Sequence, residues 1–178
     1  MKWDFTMTQH IFLTGKKHIG KSTLIQKILD DYKKTSDGFL TVRTKNYLKD
    51  QYSVHMYHLK EKEFPNESNL LFLCGKTDEH TADTFDRLGC NILSMCSDCS
   101  LIVMDELGPH EADAALFRKK ILNLLDGQPP ILGVLQEPAE SFWPKIVNHP
   151  KVEIITISED NRNDRALLNY IQCKISSP

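Results

Sequence analysis

The first apolar run of the chain, His10-Ile-Phe-Leu-Thr14, is short and closes on Gly15. A run that brief and evenly apolar reads as a strand buried on both faces. Residues 22–34 come next. Their apolar positions Leu24, Ile25, Ile28, Leu29 and Tyr32 share one helical face. Residues 38–43 and 52–59 read as two further strands. In the second, Val54 and Met56 alternate with Ser53, His55 and Tyr57, as in a strand with one half-exposed face. Residues 44–51 are then expected as the hairpin loop. Residues 61–69 are polar, contain Pro65 and read as a loop, and Leu70-Leu-Phe-Leu-Cys74 as a short strand.

The pattern then returns to the helical period over residues 81–99, with Phe85, Leu88, Ile92, Leu93 and Cys96 at matching offsets. Leu101-Ile-Val-Met104 is too short for a helix and runs into Asp105-Glu106. Residues 112–125 read as a helix, residues 131–135 and 152–157 as strands, and residues 164–174 as a closing helix. Helices alternating with apolar strands predict an α/β domain whose sheet is covered on both faces. With no repeat, low-complexity stretch or linker, residues 1–178 are expected to form one domain.

Composition narrows the function classes. The chain is 40% apolar and 26% charged, as a globular domain should be, and its net charge is −2. No global positive field draws it to DNA, RNA or an anionic membrane, so none of these is an expected partner. Residues 1–10 carry charges and no long apolar run, unlike a signal peptide. No segment reaches the roughly 18 apolar residues that cross a bilayer, so the expected location is the cytoplasm. Five cysteines at irregular spacing are not a disulfide framework, and Cys96-Ser-Asp-Cys99 lacks the second ligand pair of a zinc ribbon. These thiols are expected to be reduced and structural. Trp3 and Trp143 are expected as packing residues.

The chemistry concentrates at Gly15-Lys-Lys-His-Ile-Gly20-Lys21-Ser22, which fits GxxxxGK[ST] and has a strand before it and a helix after it. Gly15 and Gly20 permit backbone conformations that a side chain hinders. The N–H groups of Gly15, Lys16, Lys17, His18, Ile19 and Gly20 can then ring phosphate oxygens at the positive end of a helix. Lys21 would reach the β- and γ-phosphates, Ser22 would ligate magnesium, and Thr23 would bond the α-phosphate. Lys16, Lys17 and His18 either add positive potential there or are solvated loop side chains.

Asp105, at the end of a buried strand, suits the carboxylate that a magnesium–triphosphate needs near its metal. Glu106 stands one residue further, where a carboxylate can orient or deprotonate an attacking water. The pair favours hydrolysis, with Lys21 and Glu106 as the catalytic candidates. It also favours the class of P-loop sheets that insert a strand between those carrying the loop and the Asp-Glu pair. Gln136, ending the strand at residues 131–135, is a candidate γ-phosphate sensor or an ordinary polar loop residue.

With these residues in view, the chain resembles the small single-domain P-loop nucleoside-triphosphatases. The likeness covers Gly15 to Thr23 and Gly38-Phe-Leu-Thr41. It continues through Leu101-Ile-Val-Met-Asp-Glu-Leu-Gly-Pro109 with Phe117, then residues 131–135, and Ser158-Glu-Asp-Asn161-Arg162. It implies a three-layer sandwich with a mostly parallel, RecA-like sheet, an additional central strand and an added antiparallel hairpin. It also implies slow, magnesium-dependent hydrolysis of several nucleoside triphosphates, with loose base specificity, and places Asn161 and Arg162 near base or ribose. The chain departs from the family pattern at Val42, Arg43 and Thr44, where acids are usual, and at Gln136, where a His is usual. It also departs at Lys16, Lys17 and His18, where small residues are usual. The middle, residues 60–86, matches nothing in the family pattern.

Two alternatives stay open: a nucleoside or small-metabolite kinase, and a nucleotide-dependent binding module with little turnover of its own. Arg87, Arg118, Arg162 and Arg165 are scattered, which is not the arginine-rich lid of such kinases. The guanine signature Asn-Lys-x-Asp is missing from the sequence, which argues against a GTPase-type switch.

Overall fold

The computed structural model describes residues 9–62, 64–76, 80–111 and 113–176; Trp3 and most of residues 1–10 lie outside them. Seven strands form one sheet in the order β4-β3-β2-β5-β6-β1-β7. Their ranges are β1 His10–Thr14, β2 Ser36–Leu48, β3 Gln51–His58, β4 Leu70–Leu73, β5 Leu101–Leu107, β6 Ile131–Leu135 and β7 Val152–Thr156. From β2 to β7 all neighbours are parallel; β3 and β4 extend the β2 edge antiparallel. β6 lies between β1 and β5, so the predicted additional strand is there.

The parallel strands show why their sequences are apolar without a break. Phe12, Ile102, Met104, Ile131 and Leu135 face one core, while Ile11, Leu13, Leu101, Val103, Leu132 and Val134 face the other. Helices cover both faces, so β1, β6 and the Leu101–Asp105 part of β5 are buried at every position. Helices α2 (Thr81–Met95) and α3 (Ala115–Asp126) supply Phe85, Ile92, Phe117 and Ile121 to the first core. Helices α1 (Lys21–Asp31) and α6 (Arg165–Ser176) supply Leu24, Ile25, Ile28, Ile171 and Ile175 to the second.

The structure differs from the sequence reading at several boundaries. The β2–β3 connection is a tight turn at Lys49 and Asp50 rather than a loop over residues 44–51, and Asp50 takes a left-handed φ of 62°. A register irregularity between Thr44 and Leu48 absorbs the polar residues that hid this continuation of β2. α2 ends at Met95, where Cys96–Asp98 tightens into a 3-10 turn, and α3 begins at Ala115 rather than residue 112. Two single-turn helices, α4 (Ala139–Phe142) and α5 (Pro144–Val147), have too few residues to show a period and were not expected. Trp143 between them is 1% exposed, so the packing role expected of it holds.

His10 is fully buried within β1. Its Nδ1 accepts from the Ile131 N–H at 3.1 Å, so Nε2 carries the proton and donates to the Leu125 carbonyl at 2.9 Å. Burial is the main cause that pushes its pKa down from 6.5 to about 4. Between those values the unfolded chain binds the proton and the folded chain does not, so stability falls as pH drops through the window. The contribution is complete above pH 6.5 and is lost progressively toward about pH 4. On the order of 2–3 kcal/mol is expected to go. Urea midpoints across this range should converge for wild type and His10→Gln at the acid end; parallel profiles would dismiss His10.

Candidate active site

The cleft opens at the carboxyl ends of the parallel strands, where β1 hands over to α1. Gly15 has φ of 134°, and a Cβ there would run into the Ile157 carbonyl oxygen just past β7. Gly20, at φ 108°, has open space where its Cβ would be. His18 also sits in the left-handed region, at φ 63°. Ile19 turns inward and anchors the loop in the α1 core, 8% exposed. Lys16, Lys17 and His18 are exposed; Lys17 and His18 line the cleft.

Lys21 is nearly buried, and its ammonium donates to the Gly15 carbonyl at 2.6 Å and the Lys16 carbonyl at 3.0 Å. Burial lowers its pKa, while Glu106, Glu137 and Asp105 oppose that by favouring the charge. Ser22 Oγ donates to Asp105 Oδ1 at 3.1 Å, which joins two residues 83 positions apart. The Asp105 carbonyl in turn accepts from Thr41 Oγ1 at 2.9 Å. β5 thus presents a buried carboxylate to the start of α1, and β2 clamps its backbone.

Glu106 is exposed and lines the cleft, with φ of 64°. A non-glycine residue in that region costs on the order of 1–3 kcal/mol, and the β5–β6 register is irregular there, between Met104 and Leu107. Glu111, five residues on, was missed by the sequence reading. Its carboxyl is buried and accepts from the Gly108 N–H at 2.8 Å. Burial pushes its pKa up to about 7; the Gly108 N–H and Arg118 pull down, and Glu106 adds repulsion. It belongs to an irregular loop, where no periodicity marks burial. The Gly108 carbonyl accepts from Trp143 Nε1 at 3.1 Å, which fixes this loop from below.

Gln136 stands beside Gly108 and lines the cleft. Thr23 lines it as well. Asn161 and Arg162 lie apart from its lining. Asn161 Oδ1 accepts from Ser158 N and its amide donates to the Thr156 carbonyl, so it braces the turn that backs Gly15. Arg162 is exposed on that turn. Arg43, one of the departures from the family pattern, is exposed and also lines the cleft, with its guanidinium 3.9 Å from the Tyr52 ring centroid. The whole cleft encloses about 630 Å³, within the range of small-molecule sites.

A phosphate-loop sequence at the β1–α1 junction, an inserted β6 and a carboxylate at the end of β5 define an α/β P-loop NTPase of the additional-strand class. Residues 10–171 match a protein family described as NTPase, and the chain belongs to that family. It is similar to the nucleoside-triphosphatase THEP1 of Thermotoga maritima, with 26% identity over 170 residues, which span 90% of this chain and 92% of that one. Its fold resembles the crystal structure of THEP1 from Aquifex aeolicus, with a TM-score of 0.73 and 18% identity over 94% of this chain and 99% of that one. It also resembles the solution structure of a human cancer-related nucleoside triphosphatase, with a TM-score of 0.65 and 26% identity over 96% and 99% of the two chains. Membership of the family makes the chain a nucleoside-triphosphate hydrolase.

Proposed function

We propose that the chain hydrolyses nucleoside 5′-triphosphates to the diphosphate and phosphate in a magnesium-dependent reaction, with loose base specificity. The observation that carries this is the Ser22–Asp105 contact at 3.1 Å, directly beside the exposed carboxylate of Glu106. The names of its relatives, nucleoside-triphosphatases, support the reaction class.

A hydroxyl and a carboxylate side by side are hard oxygen donors of the kind magnesium takes. Among the described residues no cluster of three or more His, Cys, Asp or Glu could cage a metal. Magnesium commonly completes its shell with water and substrate phosphates. Ser22 and Asp105 would hold it, and it would neutralise charge on the phosphates. The loop N–H groups from Gly15 to Gly20 cradle the phosphate oxygens, and Thr23 bonds the α-phosphate. Lys21 moves its ammonium from the Gly15 and Lys16 carbonyls to the β- and γ-phosphate oxygens. Glu106 orients the attacking water and takes its proton. Gln136 contacts the γ-phosphate from the end of β6. Asn161 and Arg162 lie on the ribose and base side, beyond the loop.

Phosphate release from ATP, GTP, CTP and UTP, with magnesium and with a chelator, tests the reading in wild type and Lys21→Ala. All four triphosphates should be turned over, at rates within about tenfold of one another, a difference of about 1.4 kcal/mol. Release should vanish with the chelator and in the variant. Equal background in the two proteins would sink the enzyme reading, and strong preference for one base would sink the loose specificity.

A further inference from the structure

The cleft is longer than a triphosphate site requires. On the side of Glu106 away from β1 it continues under the antiparallel extension of the sheet. Arg43 on β2 pairs with Val54 on β3, and Val54 pairs with Phe72 on β4. The three side chains therefore form one row on one face of the sheet, and all three line the cleft. Phe85 of α2 forms the opposite wall. The roof is the loop after β5: His110 lies over Phe72 with ring centroids 4.2 Å apart, and the mostly buried Glu111 also lines the cleft there.

We propose that this far half of the cleft is a second small-molecule site, for a neutral compound with an aromatic body and a hydroxyl or amino donor. The proposal rests on the hydrolase reading, which puts the γ-phosphate beside Glu106. Val54, Phe72 and Phe85 give the ring an apolar, aromatic bed. Glu111 offers an oxygen to a donor group, and desolvation against Val54, Phe72 and Phe85 disfavours a charged occupant. The occupant's polar end lies toward Glu106, where it competes with the water that the hydrolase reading puts there. Occupancy therefore slows phosphate release without displacing nucleotide.

The probe is 2-(4-fluorophenyl)ethanol, followed by fluorine NMR with the whole protein and by its effect on phosphate release. It should bind saturably in the presence of magnesium and a non-hydrolysable ATP analogue, and release should drop at least about threefold at saturation. Phe72→Ala should weaken the probe by about tenfold or more, the scale of one lost aromatic contact. Val54→Trp, which fills the chamber, should abolish binding. Basal release should be unchanged in both variants, with thermal melts reporting their folding. Mutual exclusion of probe and ATP analogue would mean that this half holds the base, and would overturn the proposal. So would equal binding to wild type and Val54→Trp, equal binding to wild type and Phe72→Ala, or no saturable binding. A wild type that binds the probe but releases no phosphate would instead overturn the hydrolase reading alone.

Discussion

Glu106→Gln is expected to lower phosphate release by about 10²- to 10⁴-fold while leaving the binding of magnesium–ATP unchanged. The amide keeps the size and shape of the carboxylate but is neutral and accepts no proton from water. The contacts assigned to binding lie elsewhere, in the phosphate loop and in the Ser22–Asp105 pair. The left-handed backbone at Glu106, φ 64°, is no obstacle to the variant, because Gln and Glu meet the same steric restriction there. Single-turnover release with a fluorescent phosphate sensor, beside calorimetric titration of the ATP analogue, separates the two quantities. Unchanged turnover would remove Glu106 from the mechanism and direct attention to Glu111. A parallel loss of binding would instead make Glu106 part of the metal or phosphate cradle.

The second large effect is on stability. Phe117→Ala is expected to cost about 3–5 kcal/mol, roughly a fifth or more of the typical total stability of a folded protein. The ring is fully buried, 5.7 Å from Phe39 and 5.8 Å from Phe85 by centroids. A Cβ on Gly89 would collide with it, so α2 and α3 approach each other through that missing methyl group. The Phe117 N–H donates to Asp86 Oδ1 at 2.8 Å and ties the start of α3 to α2. The cavity left by the ring is thus walled by two helices and β2, and none of these can collapse into it cheaply. A melting temperature lower by roughly 10 °C is expected, against a shift near zero for Leu116→Ala next door. Leu116 is 63% exposed and serves as the control. Equal shifts in the two variants would remove this cluster from the core.

The division between what the sequence disclosed and what it hid follows physical lines. The parallel strands were legible because burial on both faces writes an unbroken apolar run, as at Leu101-Ile-Val-Met104 and residues 131–135. The phosphate loop was legible because its backbone demands glycine at fixed spacing, and Gly15 and Gly20 have the positive φ that was anticipated. The Ser22–Asp105 contact joins two motifs that were each visible alone. The far part of the cleft was not legible. Its walls come from residues 43, 54 and 72, which only strand pairing brings together, and from residue 85 of α2 packed against them. The turn at Lys49 and Asp50 was hidden because its strands are polar where they leave the core. Asn161 shows the reverse case: a motif residue whose contacts here are with its own turn rather than with the cleft.

The placement of β1 in the sheet has a consequence for the chain as it is made. β1 is made well before its two neighbours, β6 and β7, since Ile131 of β6 follows His10 of β1 by 121 residues. Until both have been made, β1 stays an open edge that can pair with another chain. The carbonyl that seats against Gly15 belongs to Ile157, whose N–H donates to Thr14 at 2.8 Å. A ribosome stalled before that residue holds a chain with the complete loop sequence but without the carbonyl that seats against Gly15. The full support of the loop therefore exists only once residue 157 has been made.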